Sequence, residues 1–362
     1  MSDIRLCEKC GVPEAIAGDQ AWLNSGVIVQ GTNLSWRMGF SESENLDPLF
    51  AEIEKIIGRS IQAKVMEFGK FGAIFYWENV MRPEISALVR GRLMSLEVMS
   101  EVVVAAGEIN GFGKYQVREM RFQGDADDAL VIRVDNPFSI PLSMGILAGC
   151  CEMVTGNPYT VKIDRVSGDT YDLSLGIGRA QKAARDIRVK PYYHRDGDIY
   201  LEPCASCGVP KALSNLKWDL AKGRITDSRN GKRMICLGSE VWDPLFKELE
   251  KEFGEEIPGA IIEAQRRLVR QGLFAFEDVC RADAMREEFA MRGWGNFREM
   301  QVNPNRAYFR VDHTINHPIL IGSGQAFFEM AYGVESNAEW EVSDNGDLQV
   351  EIRPKKPLLA KE

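Results

Sequence analysis

Cys7-Glu-Lys-Cys10-Gly-Val-Pro13 stands near the start of the chain, and Cys204-Ala-Ser-Cys207-Gly-Val-Pro210 repeats it nearly two hundred residues later. Two residues between cysteines let both sulfurs of a pair reach one ion, and the Gly after the second cysteine permits the tight turn around it. Together the two knuckles supply four thiolates, Cys7, Cys10, Cys204 and Cys207. Four thiolates suit a closed tetrahedral zinc site, with iron, alone or in a cluster, as the alternative.

The repetition extends well past the knuckles. Trp22 answers to Trp218, Arg37-Met38 to Arg233-Met234, and Asp47-Pro-Leu-Phe50 to Asp243-Pro-Leu-Phe246. Gly111-Phe-Gly113 with Arg118-Glu-Met120 answers to Gly293-Trp-Gly295 with Arg298-Glu-Met300. Arg133-Val-Asp135, Pro141, Glu152-Met153 and Gly156 answer to Arg310-Val-Asp312, Pro318, Glu329-Met330 and Gly333. A repeat of this length is a whole domain. The expected organisation is a first copy over 1–176, a linker over 177–198, a second, shorter copy over 199–354, and a tail over 355–362. Tyr192 and Tyr193 are candidates to anchor the linker.

Composition narrows the function classes. A chain of 362 residues, 45 % hydrophobic, is ample for two domains. Its net charge of −9 argues against a phosphate-binding surface, so nucleic acid is not an expected partner. The longest apolar stretch, Ile140 to Val154, is too short to span a bilayer and contains Glu152. The first residues lack the apolar core of a signal peptide, and the expected location is the cytoplasm, with reduced cysteines.

Periodicity and turn residues order the elements within each copy. Trp22 to Phe40 and Trp218 to Ile235 read as short strands joined by tight turns. Asp47-Pro48 and Asp243-Pro244 read as a capping Asp before a Pro at the first helical position. Further helices are expected over Ile61 to Phe68 and Ile257 to Val269, and one long helix from Pro83 to Ala106. This last segment makes the first copy seventeen residues longer between Val80 and Gly111 than the second between Val279 and Gly293. Strands such as Ala129 to Val134 and Ala307 to Val311 follow. A closing helix, Pro141 to Val154, stops at Gly156 before a last strand pair, Tyr159 to Ile163 and Tyr171 to Leu175.

The run Val131-Ile-Arg-Val-Asp-Asn-Pro-Phe138, the helix Pro141 to Gly156, Tyr159-Thr-Val-Lys-Ile163, Gly168-Asp169 and the preceding Gly111-Phe-Gly-Lys-Tyr115 resemble the C-terminal half of the 4-vinyl reductase domain. The resemblance covers residues 83–175 well and 277–352 weakly. It implies a fold similar to TRAPP subunits: an α+β arrangement of antiparallel sheet and helices that commonly pairs about a two-fold. Family members include sensor domains for aromatic hydrocarbons and an accessory protein of bacteriochlorophyll synthesis. Sensor domains of the family often bind zinc through cysteines near the closing strands, but Val161 to Asp172 contains none.

The resemblance implies a small-molecule pocket, and Phe112 and Trp294 are the candidate aromatics to line it. No catalytic residue is expected. His313 and His317 lie in a loop-like Asp312-His-Thr-Ile-Asn-His-Pro318, and the first copy has Asn136 and Ile140 in their places. Cys150, Cys151, Cys236 and Cys280 read as core residues, and Glu152 and Glu329 as helix residues that face solvent or pair with a base. A pseudo-two-fold favours one ion shared by the four knuckle cysteines. Separate ions, completed by Glu8, Asp19 or a partner chain, and no ion at all stay open. Three roles follow: a non-catalytic binder of an apolar or aromatic small molecule, held first to the longer copy; an accessory or redox protein of tetrapyrrole or aromatic metabolism carrying iron; or an assembly scaffold. Protein partners, an intrachain pseudo-dimer or a homodimer fit all three.

Overall fold

The computed structural model describes residues 4–31, 33–91, 93–123, 125–178, 189, 191–238, 242–272 and 281–356. Cys280 and most of the segment after Gly178 lie outside them. The chain opens with α1 (Glu14–Asp19), β1 (Gln20–Trp22), β2 (Ile28–Gln30) and β3 (Asn33–Glu42), then α2 (Leu46–Ile57), α3 (Gln62–Phe75), α4 (Pro83–Arg90) and α5 (Leu96–Asn110). There follow β4 (Lys114–Arg121), β5 (Ala129–Asp135), α6 (Ile140–Thr155), β6 (Tyr159–Ser167) and β7 (Thr170–Ile177). The second half runs β8 (Leu216–Asp219), β9 (Arg224–Asp227), β10 (Arg233–Gly238), α7 (Trp242–Phe253), α8 (Ile257–Arg270) and α9 (Ala282–Arg292). It ends with β11 (Asn296–Asn303), β12 (Arg306–Asp312), α10 (His317–Tyr332), β13 (Ser336–Val342) and β14 (Leu348–Pro354).

These elements make a mixed α+β fold with three antiparallel sheets. Two are four-stranded with the same order, β4-β5-β7-β6 and β11-β12-β14-β13. Both carry a register shift at the matched arginine, between Val117 and Glu119 and between Phe297 and Glu299. The third sheet, β1-β2-β3-β10-β9-β8, takes three strands from each half. Its middle pair, β3 and β10, sets Phe40 against Cys236, with Met38 against Gly238 and Glu42 against Met234 on either side.

The strand modules cross over. Trp22 Nε1 donates to the Met291 carbonyl at 3.0 Å, and Trp218 Nε1 donates to the Ile109 carbonyl at 2.9 Å. Arg37 Nη2 reaches the Gly293 carbonyl and Arg233 Nη2 the Gly111 carbonyl, at 3.2 and 2.8 Å. Each half's knuckle and hairpin therefore pack on the helix-to-strand turn of the other half. Burial, and then the neighbouring Arg224, lower Arg233 to about 10.

Helix packing repeats as well. In α6 a Cβ at Gly145 would collide with the Met66 carbonyl oxygen of α3, and in α10 a Cβ at Gly322 would collide with the Ile262 carbonyl oxygen of α8. Only glycine lets either pair of helices approach so closely. A core of Leu49, Phe50, Ile53, Ile61 and Phe68 from the first half merges with Leu245, Leu249, Ile257 and Ile261 from the second.

Two local expectations are corrected. The long helix from Pro83 to Ala106 is two helices: α4 ends at Gly91, and Ser95 starts α5 by accepting a hydrogen bond from Val98 N at 3.4 Å. Asp47 does not cap its own helix but lies in its first turn. Its carboxylate accepts from Ser139 Oγ at 2.5 Å and Ile140 N at 3.2 Å, and so caps α6. Asp243 likewise lies inside its helix, since α7 begins at Trp242; the remaining expected elements form, within a few residues at their ends, and α3 runs on to Phe75. Among the described residues no helix is long and apolar enough to cross a membrane.

Candidate metal centre

Each knuckle is a tight turn closed by its own backbone. Gly11 N donates to the Cys7 carbonyl at 2.8 Å and Cys7 N to the Val12 carbonyl at 2.8 Å. The second knuckle copies this, with Gly208 N to Cys204 O at 2.9 Å and Cys204 N to Val209 O at 2.7 Å. Gly11 and Gly208 have φ of 76° and 79°, which makes glycine the fitting residue in that place.

The crossed strands bring the two knuckles together. Cys7 Sγ lies 3.9 Å from Cys204 Sγ, and Cys10 Sγ lies 3.4 Å from Cys207 Sγ. All four sulfurs fall within 4.8 Å of one another, three of the residues being buried and Cys207 half-buried. A tetrahedral ion with Zn–S bonds of about 2.3 Å sets its sulfurs about 3.8 Å apart. The Cys7–Cys204 and Cys10–Cys207 separations lie near that edge and far beyond a disulfide bond.

The electrostatics of the knuckles are alike. The N–H groups of Cys10 and Lys9 draw Cys7 down to about 6, and those of Cys207 and Ser206 lower Cys204 in the same way. Burial pushes Cys10 and Cys207 upward instead. Without a cation each knuckle holds one thiol prone to ionise and one reluctant to; a divalent ion at the centre offsets that reluctance.

The remaining cysteines and histidines have other surroundings. Cys150 and Cys151 are buried in apolar clusters, and burial pushes Cys150 up to about 11; Cys236 shares a buried cluster with Cys7, Cys10 and Cys204, and its sulfur accepts from Gln20 Nε2 at 3.2 Å. His313 Nδ1 lies 2.8 Å from Arg195 Nη2, and His317 heads α10 with Nε2 3.4 Å from the Gly346 carbonyl. Neither joins a group of metal-ligating side chains among the described residues. Glu329, 3 % exposed, is held by Arg266 at 2.7 Å, Arg270 at 3.1 Å and Ser336; its matched residue Glu152 pairs with Lys70. Tyr192 anchors the linker through Ser35 and Ser25, while Tyr193 is exposed.

The two aromatics expected to line a pocket part company. Phe112 stacks on Phe138 at 4.5 Å within the core. Trp294 lines a cavity of about 50 Å³, partly open to solvent, between the β3–α2 corner of the first half and α7 and α10 of the second. The matched position of Phe138 is Ile315, also on the cavity wall. Sequence reasoning missed Glu42 and Asn45 on this wall, since isolated polar residues before a helix read as ordinary surface.

No family model matches the chain, and no curated protein matches it. Solved structures similar to part of it include a Cs H-NOX mutant with the unnatural amino acid 4-cyano-L-phenylalanine, 15 % identical with a TM-score of 0.25, over 33 % of this chain and 74 % of that one. Another is a point mutant of T. tengcongensis H-NOX, 15 % identical with a TM-score of 0.24, over 33 % and 75 %. Overlays this loose carry no argument about fold or function.

Proposed function

We propose that the chain is an internal duplication of one 4-vinyl reductase-like α+β unit, that Cys7, Cys10, Cys204 and Cys207 hold a single structural zinc ion between the copies, and that the whole is a non-catalytic binder of an apolar or aromatic small molecule. The observation that carries the metal reading is the meeting of all four sulfurs within 4.8 Å, two from each half. The matched sheets, register shifts and crossed tryptophan and arginine contacts support the duplication. A closed four-thiolate shell leaves no open position for substrate, which favours a structural ion over a catalytic one. The small-molecule role is supported by the part-open cavity beside Trp294 and by the resemblance of residues 83–175 and 277–352.

X-ray absorption at the zinc edge tests the metal reading. It is expected to give a shell of four sulfurs at about 2.3 Å. A mixed shell with nitrogen or oxygen, or a visible charge-transfer band from iron, would count against it.

A further inference from the structure

The cavity beside Trp294 has a polar floor for which packing gives no reason. Glu42 and Asn45, 1 % and 5 % exposed, both line it. Glu42 Oε1 accepts from Arg292 Nη1. Glu42 Oε2 and both heteroatoms of the Asn45 amide find no hydrogen-bond partner among the described residues. Leaving such groups buried and unmatched is costly, and they are kept where a ligand or water completes them.

The charges point to the kind of ligand. Arg292 also binds Glu288, and Arg229 bridges Glu288 and Asp227. Among the described residues, Glu42, Glu288 and Asp227 share the guanidiniums of Arg292 and Arg229. The unmatched Glu42 oxygen belongs to a wall residue of the cavity. Around it stand Trp294, Trp242, Phe246, Leu46 and Ile319. Arg292 already lies over the Trp294 ring, 5.2 Å from its centre, so a cationic ligand is favoured by the unmatched Glu42 oxygen together with the Trp242 and Phe246 part of the wall. The enclosed 50 Å³ admits a head of a few atoms, at about 10–15 Å³ for each water-sized group; a larger body has to extend through the mouth. In the other half Gly238 and Asn110 stand at the positions matching Glu42 and Arg292, so this floor belongs to one half alone.

We propose that this cavity binds a primary ammonium ion on an apolar body, its N–H groups donating to Glu42 Oε2 and Asn45 Oδ1 and its body lying against Trp242, Phe246 and Trp294. The inference rests on the reading of the chain as a small-molecule binder and adds the charged head. Titration calorimetry of the full chain with 2-phenylethylamine, and with the uncharged 2-phenylethanol, tests it. The amine is expected to bind at least about tenfold more tightly than the alcohol. Asn45→Leu and Glu42→Gln are expected to remove that preference. Asn45→Leu carries the test if Glu42→Gln fails to fold, because the Asn45 amide has no described partner to lose. Equal binding of amine and alcohol would overturn the charged head and leave the small-molecule reading standing. Saturable binding of neither, at millimolar concentration, would overturn both.

Discussion

Phe40 pairs with Cys236 at the middle of the six-stranded sheet, and the two are matched residues of the repeated sequence. Both are buried. Because equal steps along β3 and β10 meet matched partners, this one pairing aligns the modules on either side, and the knuckle sulfurs meet as a consequence.

The crossing helices predict opposite outcomes for two helical glycines. Gly145→Ala, which drives a methyl into the Met66 carbonyl, is expected to destabilise by more than about 2 kcal/mol. Gly259→Ala in α8 meets nothing within 4 Å and is expected to stabilise by about 0.5–1 kcal/mol. Urea unfolding reads both; equal effects would refute the close approach.

Glu42 and Arg292 are both 1 % exposed on their side chains. Glu42→Ala leaves the buried Arg292 with Glu288 as a remaining partner, so it is expected to cost about 1.5–3 kcal/mol, the loss of one charged hydrogen bond. Glu42→Leu with Arg292→Met replaces the pair by apolar volume but also takes Arg292 from Glu288, so it is expected to recover only part of that loss. A double variant as unstable as the sum of the singles would show that the pair is not coupled in this way.

Burial, and then the neighbouring Arg195, lower His313 to about 4. The folded state therefore keeps it neutral while the unfolded chain protonates near 6.5. Its contribution is present above about pH 6.5 and is lost as pH falls toward about 4. Between about pH 7 and pH 5 the loss is expected to be on the order of 2 kcal/mol. Comparison of wild type with His313→Gln by urea unfolding at both pH values isolates it, and identical pH dependence in the two would sink the assignment.

Cys10 and Cys207 are matched ligand candidates 3.4 Å apart across the join. Cys10→Ser and Cys207→Ser are expected to lower the melting temperature by similar amounts, on the order of 5–10 °C, as chelation of the wild type does. Calorimetry that finds one variant unaffected would contradict a shared ion.

Much of this was legible in the sequence. The knuckles, the matched Trp, Arg and Gly positions and the helical and strand periods are local signals, and they locate most elements within a few residues. What local signals cannot carry is partner choice. β3 pairs with β2 of its own half and has the same alternation whether or not its other edge meets β10, so the crossing of Trp22 to Met291 is set by long-range packing. Asp47-Pro48 looks like a helix start, yet the carboxylate serves α6, which is brought near only by the tertiary fold. Glu42 and Arg292 read as surface charges until 250 residues of chain bring them together. Ile315 on the cavity wall stands where the other half has Phe138, a difference that reads as a conservative apolar change.

The central claim is one ion held by both knuckles, and zinc analysis of the anaerobically purified full chain measures it most directly. The account predicts one zinc per chain in the wild type and none in either Cys10→Ser or Cys207→Ser. Two zinc ions per chain, or a full ion retained when one knuckle is disabled, would contradict it.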